Sequence, residues 1–217
     1  MAPFTSPALP PPEEARAARF ALRDLDRFYR FHARVYDWTR PFLLFGRTEA
    51  ALALRGGPRD LILDVGCGTG VNLPRLLEGG ATVVGVEPMA AMRAQAEARL
   101  ATLDDPARQR VRLDPRPYGT HDAYAGQASG ILFSYSLSMI PPFAEVLARA
   151  RADLRPGGRI AVVDFLDASP PLSWGLAASH VYLGPARLRE IPRLFPPHRL
   201  EVRRAPGWSY FSVAAEA

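Results

Sequence analysis

The chain has 217 residues, 48% hydrophobic and 23% charged, with a formal net charge of +5. That length and apolar content suit one globular α/β domain with a substantial core, and no apolar stretch reaches the length of a membrane span. All 27 basic residues are arginine and they are scattered, which argues against a nucleic-acid-binding stripe, while the single cysteine, Cys67, excludes an internal disulfide and a cysteine-cluster metal site.

Met1 to Pro12 is proline-rich and is expected to form a disordered tail, because proline offers no N–H for pairing. Residues 13–217 read as a single domain, with a helical cap over 13–57 and an α/β core over 58–217. In the cap, Ala15 to Tyr36 places Phe20, Leu22, Leu25, Phe28, Phe31 and Val35 near helical spacing. Pro41 interrupts this pattern. Leu43 to Leu54 predicts a second helix, stopped by Gly56-Gly57-Pro58. Strands are then expected at Leu61–Val65, Thr82–Val86, Arg110–Leu113, Gly130–Ser134 and Arg159–Phe165. Helices are expected after the first glycine turn through Leu77, over Pro88 to Leu103, over Pro142 to Ala152 and over Ala186 to Phe195. Tyr118 to Gln127 reads as an irregular polar connection. Arg199–Arg203 and Trp208–Ala214, joined by Ala205-Pro206-Gly207, predict an antiparallel pair. Alternating strands and helices predict a mostly parallel, Rossmann-like sheet with helices on both faces. Ligands of such sheets lie beyond the carboxyl ends of the strands, where Gly66, Glu87, Ser134 and Asp164 fall.

The most informative segment is Leu61-Ile-Leu-Asp-Val-Gly-Cys-Gly-Thr-Gly70. Gly66, Gly68 and Gly70 leave no side chain between the backbone and a ligand, so bare N–H groups can cradle one. Glu87 ends the second apolar strand, where an acid meets the two hydroxyls of a ribose. The dinucleotide fingerprint places its third glycine at position six, but here it comes at five and Val71 follows.

Asp64 two residues before the first glycine, the glycine triplet and Glu87 together resemble motif I and the next acidic motif of class I S-adenosylmethionine-dependent methyltransferases. The resemblance implies S-adenosyl-L-methionine as cofactor. It would be held by Asp64, Gly66, Cys67, Gly68, Gly70, Asn72, Glu87, Pro88, Met89, Ser134 and Tyr135, with Tyr29 and Tyr36 from the cap. Phe28 to Arg47 contains Tyr-Asp-Trp-Thr-Arg, and residues 133–142 read Phe-Ser-Tyr-Ser-Leu-Ser-Met-Ile-Pro-Pro. Both segments, with His180-Val-Tyr-Leu-Gly-Pro-Ala-Arg-Leu, are similar to the N-methyltransferases that complete the betaine lipid head group diacylglyceryl-trimethylhomoserine. This resemblance implies methylation of an amine-bearing lipid head group, at an anionic membrane surface that the net charge would favour, while the lone cysteine fits a reducing cytoplasm. The alternatives are a nitrogen or oxygen methyltransferase for a soluble small molecule and a cofactor-binding protein without activity.

An amine must be neutral to attack, and a growing quaternary ammonium is best held by aromatic faces. Tyr29, Tyr36, Trp38, Tyr135 and Trp174 are candidates for such a cage; core or lid packing suits Tyr29 and Tyr36 at least as well, Trp38 and Trp174 equally suit covering the sheet, and Tyr135, which follows the fourth strand at the cofactor edge, is the best of the group. His32, His180 and Tyr135 are the catalytic candidates. Arg40 and Arg47 suit an anionic carboxylate or phosphate of the substrate, beside Trp38 and Trp174, or else a solvated helix face. One departure from the family stands after the third strand. The usual Gly-Asp-Ala-like segment, whose acid meets the adenine amino group, is replaced by Leu113-Asp-Pro-Arg-Pro-Tyr-Gly-Thr-His-Asp122. Asp114, Asp122 or a stacking Tyr118 are the possible substitutes.

Overall fold

The computed structural model describes residues 44–217, apart from Pro141 and Ser179. The tail, most of the expected cap, and Tyr29, His32, Tyr36, Trp38 and Arg40 lie outside the described residues. In chain order the elements are α1 (Arg47–Leu52), β1 (Leu61–Val65), α2 (Leu73–Leu77), β2 (Thr82–Val86), α3 (Ala90–Leu100), α4 (Asp105–Arg108), β3 (Val111–Asp114) and β4 (Ala128–Ser134). A 3-10 turn (Leu137–Met139) leads into α5 (Phe143–Asp153), β5 (Leu154–Ala168), α6 (Leu172–Ala178), α7 (Ala186–Leu194), β6 (Pro197–Ala205) and β7 (Trp208–Glu216).

The seven strands form one sheet in the order β3-β2-β1-β4-β5-β7-β6. β1 to β5 run parallel, and β7 lies antiparallel to both β5 and β6. The order reverses at β1, which sits between β2 and β4, so a crevice opens beyond the carboxyl ends of these strands. β1 and β2 are apolar along nearly their whole length because both faces are covered. Ile62, Leu132, Val163 and Phe165 pack on one face with Leu54, Leu73 and Leu76 from the α1 and α2 side. Leu63, Ile131, Phe133 and Val162 pack on the other with Leu147 and Ile191 of α5 and α7. Each such side chain taken from water contributes about 1.5–3 kcal/mol.

Several boundaries differ from the sequence expectation. β5 starts at Leu154, and the Arg155-Pro156-Gly157-Gly158 turn becomes a register shift within its pairing to β4. β6 and β7 are nine residues each, since ladder pairing runs beyond the apolar segment, from Ala205–Trp208 to Pro197–Ala215, with a shift at His198. Leu166 to Pro185 contains the short helix α6, and the helix expected from Leu43 begins only at Arg47. Gly46 precedes it with φ +79°, and a Cβ there would lie 3.1 Å from the Tyr210 ring. The polar connection after β3 is irregular but not solvated throughout: Tyr118 and Tyr124 are buried. Tyr118 donates to Asp153 at 2.7 Å and Tyr124 donates to Asp114. Two phenols thus anchor a segment whose backbone has no ladder.

Candidate cofactor and acceptor site

The glycine turn is bolted to the end of β2. The amides of Gly66 and Cys67 both donate to the Val86 carbonyl, at 2.8 and 3.2 Å. All three glycines have positive φ, +70°, +58° and +77° in order. Their surroundings differ. A Cβ on Gly66 would lie 2.5 Å from Cβ of Ser136, and one on Gly70 would lie 3.1 Å from Cβ of Ala96. A Cβ on Gly68 would meet nothing within 4 Å, so the middle of the turn faces open space.

Glu87 is held ready at the edge of that space. Gly68 N–H donates to Oε2 at 3.0 Å and Met89 N–H donates to Oε1 at 2.9 Å. Burial pushes the Glu87 pKa above its ordinary value, against the pull of these two amides. The Arg93 guanidinium donates to the carbonyls of Glu87 and Pro88, which fixes the backbone that carries the acid. Each carboxylate oxygen keeps a lone pair for a further donor.

Asp64 is fully buried, and among the described residues neither of its oxygens has a partner within hydrogen-bond geometry, Asn72 being the near neighbour that acts on it. Burial pushes its pKa up to about 7, and the charge of Glu87 adds to the rise; Asn72 and the Arg47 cation pull it down. Asp64 lies opposite Leu132 in the β1–β4 ladder, so Ser134, two residues on, shares its face. Ser134 Oγ and Asn72 Oδ1 are also buried without a partner. Unpartnered buried polar atoms each cost about 1–3 kcal/mol, and a charge costs more. These buried polar atoms lack donors among the described residues and so call for further hydrogen-bond partners.

Tyr135 follows β4 with φ +56°, a conformation that ordinary residues seldom adopt. Its N–H donates to the Val163 carbonyl at 2.8 Å, and its hydroxyl donates to the Phe45 carbonyl at 2.8 Å. Burial, then the charges of Asp164 and Tyr210, push its pKa well above the ordinary phenol value, so it stays a neutral donor. The ring packs edge-on to Phe165 with centroids 4.7 Å apart. Phe165, Trp208, Tyr210 and Phe45 continue this aromatic wall at centroid separations of 5.5–6.4 Å. Phe45 keeps 46% of its surface exposed. Arg47, two residues on, acts electrostatically on both Asp64 and Tyr135. Sequence reasoning missed Phe45, Phe165, Trp208 and Tyr210. The alternation Trp-Ser-Tyr at 208–210 was the available signal, since it sets two rings on one face of a strand.

Trp174 on α6 is 70% exposed and makes no ring contact among the described residues. His180 sits at the turn after α6 with φ +59°, its N–H donating to the Ala177 carbonyl. The Cys67 thiol is buried, which pushes its pKa up, and it fills the space left by the bare Gly85. Asp114 is saturated: it accepts from the Arg116 amide and guanidinium and from the Tyr124 hydroxyl, and Arg116 holds its carboxyl far below the usual range. Tyr118, turned inward to Asp153, is not free to stack on a ligand, and Asp122 is exposed. Asp164 accepts from the amides of Ser138 and Phe165, with its pKa raised to about 6 by burial.

A sheet of this order, with a glycine turn after its first strand and an acid after its second, defines the class I methyltransferase fold. Residues 63–160 match the methyltransferase domain family. Over 144 residues it is 31% identical to the demethylmenaquinone methyltransferase of Beutenbergia cavernae, an overlap of 64% of this chain and 56% of that protein. The chain thus spans little more than half the length of that relative. It is 25% identical to the 1,6-didemethyltoxoflavin-N1-methyltransferase of Burkholderia thailandensis, solved with its substrate and S-adenosylhomocysteine. That likeness covers 99% of this chain and 93% of the other with a TM-score of 0.67. The phosphoethanolamine N-methyltransferase 2 of Haemonchus contortus shares the fold at 17% identity, over 90% of this chain and 60% of the other, with a TM-score of 0.73.

Proposed function

We propose that this chain transfers a methyl group from S-adenosyl-L-methionine to an amine nitrogen. The observation that carries the cofactor half is Asp64, a buried carboxylate without a partner beside an open glycine turn. An α-ammonium is the donor such a group requires, with Ser134 completing its shell. Glu87 would accept from the ribose hydroxyls, and the turn amides would face the rest of the cofactor. When bound, the cofactor supplies an electrophilic methyl on a sulfonium, which needs no protein nucleophile. The chain's own work is to orient and dry the partners. Tyr135, a neutral phenol committed to Phe45, would position rather than accept a proton, so the acceptor nitrogen arrives neutral.

For the acceptor, the sequence resemblance points to an amine-bearing lipid head group of betaine type, approached from an anionic membrane surface. Among the described residues no helix is long and apolar enough to cross a membrane. Arg47 would meet the head group's carboxylate. A second reading, a soluble heteroaromatic amine, is favoured by the end-to-end likeness to the toxoflavin enzyme and by the aromatic wall of Phe45, Trp208 and Tyr210. Incubation with labelled cofactor and a lipid extract, followed by mass spectrometry of the products, tests the first reading. Three added methyl groups on a homoserine-type lipid support it; no labelled lipid, with transfer to a soluble amine, supports the second. Failure to bind either cofactor or its demethylated product in calorimetry removes both.

A further inference from the structure

Among the described residues β6 closes one side of the sheet and pairs only with β7. Nearly all its residues are exposed, including Leu200 at 42% and Val202 at 48%. Leu200 stands opposite Val213 and Val202 opposite Phe211, both of which are buried in the core. Leu200 and Val202 therefore extend the apolar face of the sheet toward its outer edge, Arg204 follows them on the same face, and no described residue buries the two apolar side chains. The opposite face of β6 carries Arg199, Glu201 and Arg203, the two guanidinium groups donating to the two oxygens of Glu201 at 2.7 and 2.8 Å.

Long exposed edges template the pairing of another strand, and proteins blunt them with proline, bulges or short length. Here the proline, Pro197, and the register shift at His198 both fall at the start of the strand. From Arg199 to Ala205 the ladder is regular, and among the described residues no loop or helix donates a backbone hydrogen bond to its outer side.

We propose that this edge pairs with β6 of a second copy of the chain, antiparallel about a two-fold axis at Val202, joining two seven-stranded sheets into one. Charge selects the occupant and the register. With the axis at Val202, the regular segment overlaps itself completely, and each Glu201 faces Arg203 of the other copy. On the other face Val202 then meets Val202, and each Leu200 meets Arg204 of the other copy. Moving the axis to residue 201 puts Glu201 against Glu201 and Arg199 against Arg203, like charges directly opposed. Moving it to residue 200 runs the pairing into the shift at His198 and Pro197. The axis at Val202 opposes Glu201 to Arg203 twice, which favours a copy of this strand over an edge that lacks this pair. The interface lies four strands away from β1, so it leaves the glycine turn open.

Sedimentation velocity of the full chain over a hundred-fold dilution series tests the proposal. The expected result is a dimer dissociating reversibly to a 23.8 kDa monomer. Val202→Lys, at an exposed position, should give monomer at every concentration with an unchanged melting temperature and unchanged cofactor affinity. Glu201→Arg should also give monomer, and the charge exchange Glu201→Arg with Arg203→Glu should restore the dimer. A wild-type chain that stays monomeric overturns the proposal, as does a dimer that survives Val202→Lys. Edge amides of β6 protected from hydrogen exchange in a monomer would show that another part of this same chain covers the strand, and would overturn it as well.

Discussion

Asp64→Asn separates the cost of the candidate site from its use. The wild-type carboxyl titrates near 7 in the native state against 3.8 for a free side chain. At about 1.4 kcal/mol per pH unit between those values, the buried charge costs the ligand-free protein about 4 kcal/mol once both states have ionised. The sign follows from the raised native pKa. Between pH 3.8 and about 7 the native state keeps a proton that the unfolded state has lost. This group's contribution to stability therefore falls as pH rises through that window and is flat above it. Asparagine removes the charge but leaves an amide without partners, which returns about 1–3 kcal/mol of the gain. The variant should be more stable than wild type at pH 8 by about 1–3 kcal/mol, or about 2–10 °C in melting temperature, and should gain nothing at pH 4. Saturating S-adenosylmethionine should reverse the order, because ligand stabilises only the form that binds it. Loss of a charge-assisted hydrogen bond should weaken binding by about 10- to 100-fold. Calorimetric melts at the two pH values, with and without cofactor, read all of this. A variant less stable than wild type at pH 8 that keeps full affinity would refute the reasoning, since the carboxylate would then have a partner within the fold.

The glycine turn offers a matched pair. Gly68→Ala strains a φ of +58° but meets no atom, so it should cost about 1–2 kcal/mol of stability while lowering cofactor affinity more than tenfold in calorimetry. Gly66→Ala drives a Cβ to 2.5 Å from Ser136, and chemical denaturation should show a larger loss, about 2–5 kcal/mol. Tyr135→Phe keeps the ring against Phe165 but frees the Phe45 carbonyl. It should cost about 1 kcal/mol in melting and raise the acceptor KM, with the shape of the pH–rate profile unchanged; a lost alkaline or acid limb would show that the phenol moves a proton. The buried Cys67 should react with a thiol reagent only through opening of the turn, so saturating cofactor should slow labelling by the factor that it stabilises that region.

The first two strands were legible to the residue. Leu61–Val65 and Thr82–Val86 are apolar runs bounded by glycine, proline and acid, and those boundaries are local. The hairpin was legible as a pair but not in length, because Pro197 is a strand residue only through its pairing with Ala215, and Glu216 only through its pairing with Arg159 of β5. Asp114 and Tyr118 read as ligand-facing because they follow a strand at the cofactor edge. The fold turns both elsewhere, to Arg116 and Tyr124 in one case and to Asp153, 35 residues away, in the other.

By itself the amino-acid order determined where the backbone must take a left-handed turn, where an acid ends a strand, and that the strands alternate with helices. Each of those depends on a few neighbouring residues and on the steric freedom of glycine. Tertiary structure alone decided that Asp64 has no partner, that the Tyr135 hydroxyl is spent on Phe45 some 90 positions earlier, and that Trp208 and Tyr210 complete one aromatic wall with Phe165. Those facts depend on strand register, which brings distant residues onto one face and is set by the packing of the whole sheet.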